Sequence, residues 1–319
     1  MRILFITSTR IGDAVLSTGV LDYLLRRYPD ARVTIACGPQ AAPLFEAVPG
    51  LDKLLPMPKK RMAGHWIKLW AECIGVRWDM VVDLRLSAVA YLLLAKERHS
   101  LSRGGERVHR VRQIADVFNL PEPPMPRLWT SPKHQSAASS LLPSDGPILG
   151  IGPTTNWRAK TWRGDNFVEL VERLTGPRGI LPGARVAIFG APDEREVALP
   201  VIEAIDPRRV IDLVGKVDLL TAYACLERCR FYVGNDSALM HLAAASGIPT
   251  LGLFGPSDET FYAPWGWLTT AVRTPLSFTE IFPENFDHRA SDTLMDTLTV
   301  DQAEAAARAL WDHGKVQAA

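Results

Sequence analysis

The chain has 319 residues, 47% hydrophobic and 22% charged, with 36 Lys+Arg against 35 Asp+Glu. These proportions exclude a disordered chain, suit a soluble enzyme with a substantial core, and at this length favour two domains of about 150 residues. The net charge of +1 argues against a whole-protein polyanion binder, yet it is the sum of +7 over residues 1–146 and −6 over residues 147–319.

Met1–Thr7 is apolar, but Arg10 and Asp13 follow at once, unlike a secretory leader. The longest apolar run, Ala88–Ala95, is far short of the ~20 residues that span a bilayer. Cys37, Cys73, Cys225 and Cys229 form no CxxC, the pattern of free thiols in a reducing cytosol. Cys225 and Cys229 lie one helical turn apart and would hold a metal only with further ligands.

Arg2–Thr7 reads as a buried first strand. Ala14–Arg27 has Val15, Leu16, Val20, Leu21, Leu24 and Leu25 at helical spacing and ends in two arginines, which suit a helix C-terminus. A strand at Arg32–Cys37, a short helix around Ala41–Ala47 and strands near Lys53–Leu55 and at Met80–Leu84 follow, then a helix at Val108–Phe118. Leu120–Gly146, with Pro121, Pro123, Pro124, Pro126, Pro132 and Pro143, reads as an interdomain connection. The alternation then restarts. Strands are expected at Ile148–Ile151, Arg185–Phe189, Val210–Leu213, Phe231–Val233 and Thr250–Phe254, with helices at Asn166–Leu174, Glu194–Ile205, Leu219–Arg228 and Ser237–Ser246. Thr299 or Asp301 caps a last helix through Leu310. The rhythm implies an α/β protein with two doubly wound parallel sheets, residues 1–143 and 147–290, and a closing segment 291–319.

In such sheets ligands bind beyond the carboxyl ends of the strands, near the point where strand order reverses. Ser8-Thr9-Arg10-Ile11-Gly12-Asp13 lacks the GxGxxG fingerprint and puts Asp13 at a helix start, as an N-cap or as a catalytic carboxylate. Gly152–Trp162 offers Thr154, Thr155, Arg158 and Lys160 to phosphate oxygens, or is a solvated loop anchored by Trp157 and Trp162. Glu194 either accepts from ribose hydroxyls or complements a helix dipole. Gly234–His241 ends in a helix whose N-terminus is an anion site, with Asp236 or Ser237 as caps and His241 as a ligand or a core residue. Gly255-Pro256-Ser257-Asp258 lies on the same rim. Together these loops suit a nucleotide diphosphate in one domain and an acceptor in the other. No DxD triplet occurs, so an obligatory metal–diphosphate site is not indicated, and Lys160 with the helix at Ser237 would stabilise the leaving group.

Taken in order, the Ser8–Asp13 loop, Lys160-Thr161-Trp162, Asn235–Ala245 and Leu253–Asp258 resemble the bacterial ADP-heptose:lipopolysaccharide heptosyltransferases, glycosyltransferase family nine. The resemblance runs from about Arg2 to Trp265. It implies a GT-B fold, two Rossmann-like domains facing a central cleft, with acceptor on the first, ADP-sugar on the second and the last helix crossing back to the first. It implies inverting transfer without cofactor or metal. Asp13 matches the catalytic base, and Lys160 stabilises the leaving group. Thr154, Thr155 and Lys160 match phosphate-contacting positions, Glu194 the ribose acid, and Asp236, Ser237, Ala238 and His241 the donor loop, where the family usually has Gly in place of Ala238.

Residues 53–112 hold 13 Lys+Arg against 5 Asp+Glu. Lys59-Lys60-Arg61 and Lys68 form one group; Arg98, Arg103, Arg107, Arg110 and Arg112 form another. A basic face suits the anionic acceptor that the resemblance implies, lipid A with inner-core sugars, at the cytoplasmic face of the inner membrane. Gly12, Lys59, Lys60, Arg61 and Arg85 are the expected acceptor residues, and Trp66, Ile67, Leu69 and Trp70 either touch lipid or face the core. The expected localisation is cytoplasmic and peripheral, with no nucleic-acid or obligate protein partner. Competing readings are a transferase using UDP-N-acetylglucosamine, a nucleotide-sugar 2-epimerase, and a two-lobed sugar or anion binding protein.

Overall fold

Ile3, Leu4, Phe5 and Ile6 are all fully buried, so the first strand needs cover on both faces of its sheet. The computed structural model describes residues 1–102, 107–284, 286–287 and 291–318; Arg103 of the second basic group lies outside them. The described chain divides into two units, residues 1–131 and 132–319.

The first unit runs β1 (Arg2–Ile6), α1 (Ile11–Arg27), β2 (Arg32–Cys37), β3 (Leu51–Pro56), α2 (Gly64–Cys73), β4 (Trp78–Asp83), α3 (Val89–Leu92), β5 (Ala95–Ser100) and α4 (Arg110–Asp116). Its five strands lie in the order β3-β2-β1-β4-β5, every pairing parallel. The helix expected around Ala41–Ala47 is a 3-10 turn at Ala42–Phe45. β5 escapes sequence reading because its Lys96, Glu97 and Arg98 are exposed and it pairs on one side only. Charged side chains are what an edge strand uses to discourage further pairing.

The second unit runs α5 (Pro132–Leu141), β6 (Ile148–Gly152), α6 (Gly164–Thr175), β7 (Arg185–Ile188), α7 (Arg195–Ala204), β8 (Val210–Asp212), α8 (Leu219–Leu226), β9 (Phe231–Asn235), α9 (Ala238–Ala245), β10 (Thr250–Phe254), α10 (Glu259–Tyr262), β11 (Thr269–Arg273) and α11 (Val300–Ala318). Six parallel strands follow the order β11-β10-β9-β6-β7-β8, so the order reverses between β6 and β9. Leu149, Ile151, Val186, Phe231 and Val233 meet Phe167, Leu170 and Leu174 of α6 in the core.

Two boundaries differ from the sequence reading. Part of the proline-rich connection is the helix α5, which belongs to the second unit and packs on α8, with Gln135 bonded to Glu227. The closing helix packs within the second unit. Val300, Ala303, Ala307 and Leu310 of α11 enter the second core, and Arg173 of α6 pairs with Asp301 and Glu304. Its apolar stripe is complementary to the face α6 leaves open, which decides where it packs.

The start of α11 is a reciprocal cap: Gln302 N–H donates to Thr299 Oγ1 at 3.2 Å, and Thr299 N–H to Gln302 Oε1 at 3.0 Å. Thr299→Ala should lower stability by about 1 kcal/mol, read as an earlier denaturant midpoint for the second unit. An unchanged midpoint would show the cap to be dispensable.

Candidate active site

In the first sheet the order reverses between β1 and β4, so the loops after these strands flank the crevice. Gly38 lacks the Cβ that would sit 2.5 Å from Thr9 Cα, and this lets the turn after β2 press against the Ser8–Arg10 loop. α1 starts at Ile11, three residues before the sequence spacing suggests, and its N-cap is Arg10, with no side-chain capping bond. Asp13 is therefore in the first helical turn and does not cap. It is half-buried and, among the described residues, its carboxylate has no hydrogen bond or ion pair. Both of its oxygens therefore stay open to a ligand. Gly12 precedes it, also half-buried.

After β4, Asp83 is fully buried and accepts from Arg85 N–H (2.8 Å) and from the backbone N–H and hydroxyl of Ser87 (2.7 Å each). Sequence reading passes over Asp83, which builds the turn that carries Arg85. The Arg85 guanidinium lies over the Trp66 ring, 5.4 Å from its centroid. Lys59, Lys60 and Arg61 follow β3, all exposed and without an ion pair among the described residues. The second basic group differs. Arg98 donates to the carbonyls of Ala90, Leu93 and Ala95, and Arg112 to those of Leu120 and Pro121. Arg110 bonds Gln113. These arginines hold loops together.

In the second unit the loops after β6, β7 and β9 meet at the reversal point. Thr154 is fully buried and donates to Glu194 Oε2 at 2.6 Å. The same oxygen accepts Ala191 N–H at 3.0 Å, leaving Oε1 without a donor among the described residues. Glu194 closes a 3-10 turn at Pro192–Glu194 and is the N-cap residue of α7. Thr155 Oγ1 donates to Trp157 O and accepts Trp157 N–H, so its hydroxyl shapes the loop. Lys160 Nζ donates to the backbone O and to Oδ2 of Asp236, both at 3.0 Å, and keeps a third N–H. Ser237 is the N-cap of α9, with a buried hydroxyl that has no hydrogen-bond partner among the described residues. Ala238 is the first residue of α9, and His241 is buried one turn inside.

Trp162, read from the sequence as a loop anchor, and two residues given no role there, Asn235 and Tyr232, organise this rim. Asn235 Oδ1 accepts Trp162 N–H at 3.0 Å, tying the loop after β9 to the loop after β6. Trp162 is fully buried, and its indole donates to Leu298 O at 2.8 Å. Tyr232 has its hydroxyl buried against Gly152 and Gly234, without a hydrogen-bond partner among the described residues. A Cβ at Gly234 would be 2.5 Å from that hydroxyl, and one at Gly152 closer still. Burial pushes the Tyr232 phenol well up, and the nearby Glu194 charge adds to this. The Ser237 hydroxyl partly opposes the shift without meeting hydrogen-bond geometry.

Two doubly wound parallel sheets, the second with an acid, a lysine and a helix N-terminus at its reversal point, are the architecture of the GT-B class of glycosyltransferases. The model of glycosyltransferase family 9 (heptosyltransferase) matches residues 71–282, and the chain belongs to that family. Lipopolysaccharide heptosyltransferase 2 of Salmonella typhimurium is 25% identical over 317 residues, covering 86% of this chain and 88% of the relative. Among solved structures, the family 9 glycosyltransferase of Veillonella parvula aligns with a TM-score of 0.77 at 20% identity, covering 97% of both chains. The ADP-heptose LPS heptosyltransferase II of Escherichia coli aligns with a TM-score of 0.75 at 23% identity, covering 99% of this chain and 100% of the other.

The Tyr232–glycine arrangement predicts a non-additive pair. Gly152→Ala should destabilise by about 1–3 kcal/mol through overpacking. Tyr232→Phe, which removes an unpartnered hydroxyl, should change stability by less than about 1 kcal/mol. Chemical denaturation of the four chains tests this: the cost of Gly152→Ala must fall in the Tyr232→Phe background. Equal costs in both backgrounds would reject the steric account.

Proposed function

We propose that this glycosyltransferase moves a heptose from ADP-heptose to the inner core of lipopolysaccharide, with inversion at the anomeric carbon. The curated relative from Salmonella is named for lipopolysaccharide heptosyl transfer. The observation that carries the reading is the convergence of Glu194, Lys160 and the α9 N-terminus at one reversal point.

The second unit is the donor unit in this reading. Glu194 Oε1 accepts from the ribose hydroxyls, while Thr154 fixes its other oxygen. Lys160, Ser237 and the α9 N-terminus meet the diphosphate, with Asp236 orienting the lysine and Thr155, whose hydroxyl is spent on Trp157, shaping the loop that carries it. Ala238 and His241 complete the wall at the start of α9. As the glycosidic bond breaks, negative charge builds on the departing ADP, and these donors matter most at that stage.

The first unit takes the acceptor. The open carboxylate of Asp13 accepts the proton of the attacking hydroxyl, as a general base must. Gly12, with no side chain, leaves room beside it for the acceptor. Lys59, Lys60, Arg61 and Arg85 receive the carboxylates and phosphates of an inner-core glycolipid. The enzyme then works at the cytoplasmic face of an anionic membrane, in peripheral contact with it.

Incubation with ADP- and UDP-sugars, with and without acceptor glycolipid, tests the reading; acceptor-dependent ADP release from ADP-heptose is the expected result. Release without acceptor, or from UDP-sugars alone, would overturn it. Asp13→Asn should lower turnover about 10²–10⁴-fold and leave ADP affinity nearly unchanged. Wild-type turnover in that variant would remove Asp13 as the base. The double charge reversal Lys60→Glu, Arg61→Glu should raise acceptor KM several-fold at unchanged donor KM; an unchanged acceptor KM would take this segment out of the acceptor site.

A further inference from the structure

Helices α2 and α3 lie side by side on one face of the first sheet. Leu69 and Cys73 of α2 and Val89, Ala90 and Leu93 around α3 enter one cluster with Leu4, Ile6 and Val81, and Trp66 and Trp70 pack against it. The Trp70 indole donates to Leu92 O at 3.4 Å, joining the two helices. The inward sides of both helices are thus filled. Their outward sides are apolar as well: Met62 is 94% exposed, Ile67 65%, Tyr91 71%, Leu92 62% and Leu94 66%, with Ile74 also exposed. Ile67, Ala71 and Ile74 recur at helical spacing on the side of α2 away from the sheet. Met62 and Ala63 adopt φ of +47° and +58°, a left-handed backbone that L-residues take at a cost, and this geometry leaves Met62 in solvent at the head of α2.

Cations accompany this surface. Lys59, Lys60, Arg61 and Lys68 are exposed and, among the described residues, none is in an ion pair. The one acid of α2, Glu72, is already engaged by Lys53. Large exposed apolar side chains beside uncommitted lysines and arginines match a lipid surface with anionic headgroups: the apolar side chains enter the headgroup–acyl boundary and the cations meet phosphate.

We propose that the outward side of α2 and α3, with the Lys59–Met62 turn, is the surface by which this enzyme docks on an anionic bilayer. The proposal rests on the reading that the acceptor is a glycolipid held in a membrane. It divides labour within the segment: Trp66, Leu69 and Trp70 support the sheet, while Met62, Ile67 and Leu92 enter lipid.

The test is co-sedimentation of the full chain with vesicles of phosphatidylcholine alone or with 30% phosphatidylglycerol, free of donor and acceptor. Wild type should bind the anionic vesicles and leave the neutral ones largely unbound. Ile67→Ser with Leu92→Ser, both on the outward side, should weaken that binding at least about tenfold at an unchanged melting temperature. Turnover of the same variant on a deacylated, water-soluble acceptor should stay at the wild-type level, and that assay reads the transferase reaction independently of docking. Absence of wild-type binding to anionic vesicles, or equal binding by the variant, overturns the proposal. So does a concentration-dependent dimer that the two substitutions dissolve, because the occupant would then be a second copy of the chain.

Discussion

Trp162 holds the donor rim in one piece. Its indole reaches Leu298 on the segment before α11, its backbone N–H reaches Asn235 after β9, and its ring meets Phe167 of α6 edge-on. Lys160 lies two residues upstream, so the position of its ammonium follows from this anchor. The segment before α11 adds to the brace: Leu294 N–H donates to Ala159 O, Thr293 Oγ1 to Thr161 O, and Arg163 pairs with Asp296. In the proposed reading this loop carries a cation to a diphosphate, and such a loop is otherwise the most mobile part of an α/β unit. Here three separate segments fix it before any ligand arrives, and preorganised charge of this kind is what stabilises a leaving group.

Close approach at the rim is allowed by missing side chains. Gly152 at the end of β6 and its partner Gly234 in β9 leave room for the Tyr232 hydroxyl. Gly255 does the same for Met295 Sδ, which brings the segment before α11 against the loop after β10. Gly190 lies close to Thr154 Oγ1, whose proton goes to Glu194. These glycines have ordinary backbone angles, so space rather than left-handed geometry requires them.

Charge separates the two units by use as well as by sign. In the proposed reading the acidic unit handles an anionic donor through local groups: backbone N–H groups, hydroxyls and a single lysine. The basic unit keeps its uncommitted cations at Lys59–Arg61 and Lys68, beside an apolar surface. Its arginines at 98, 110 and 112 are bonded to carbonyls or to Gln113 and contribute little to recognition. Net charge by segment therefore overstated the reach of the second group.

The sequence by itself determined the α/β class, the two parallel sheets, most strands to within a residue or two, and the family. Buried parallel strands are continuous apolar runs, and the loops at their carboxyl ends carry short local motifs, so both are legible along the chain. It left Asp13 open between cap and base, because the two readings differ only in whether the carboxylate bonds to backbone. The structure decides that Asp13 does not cap. Only tertiary structure revealed β5, a charged edge strand without an apolar signature, and the role of Tyr232, Asn235 and Asp83, whose partners come from other segments. It also decided the seating of α5 and α11, since an amphipathic helix shows in sequence that it has a face to bury but not which surface will receive it.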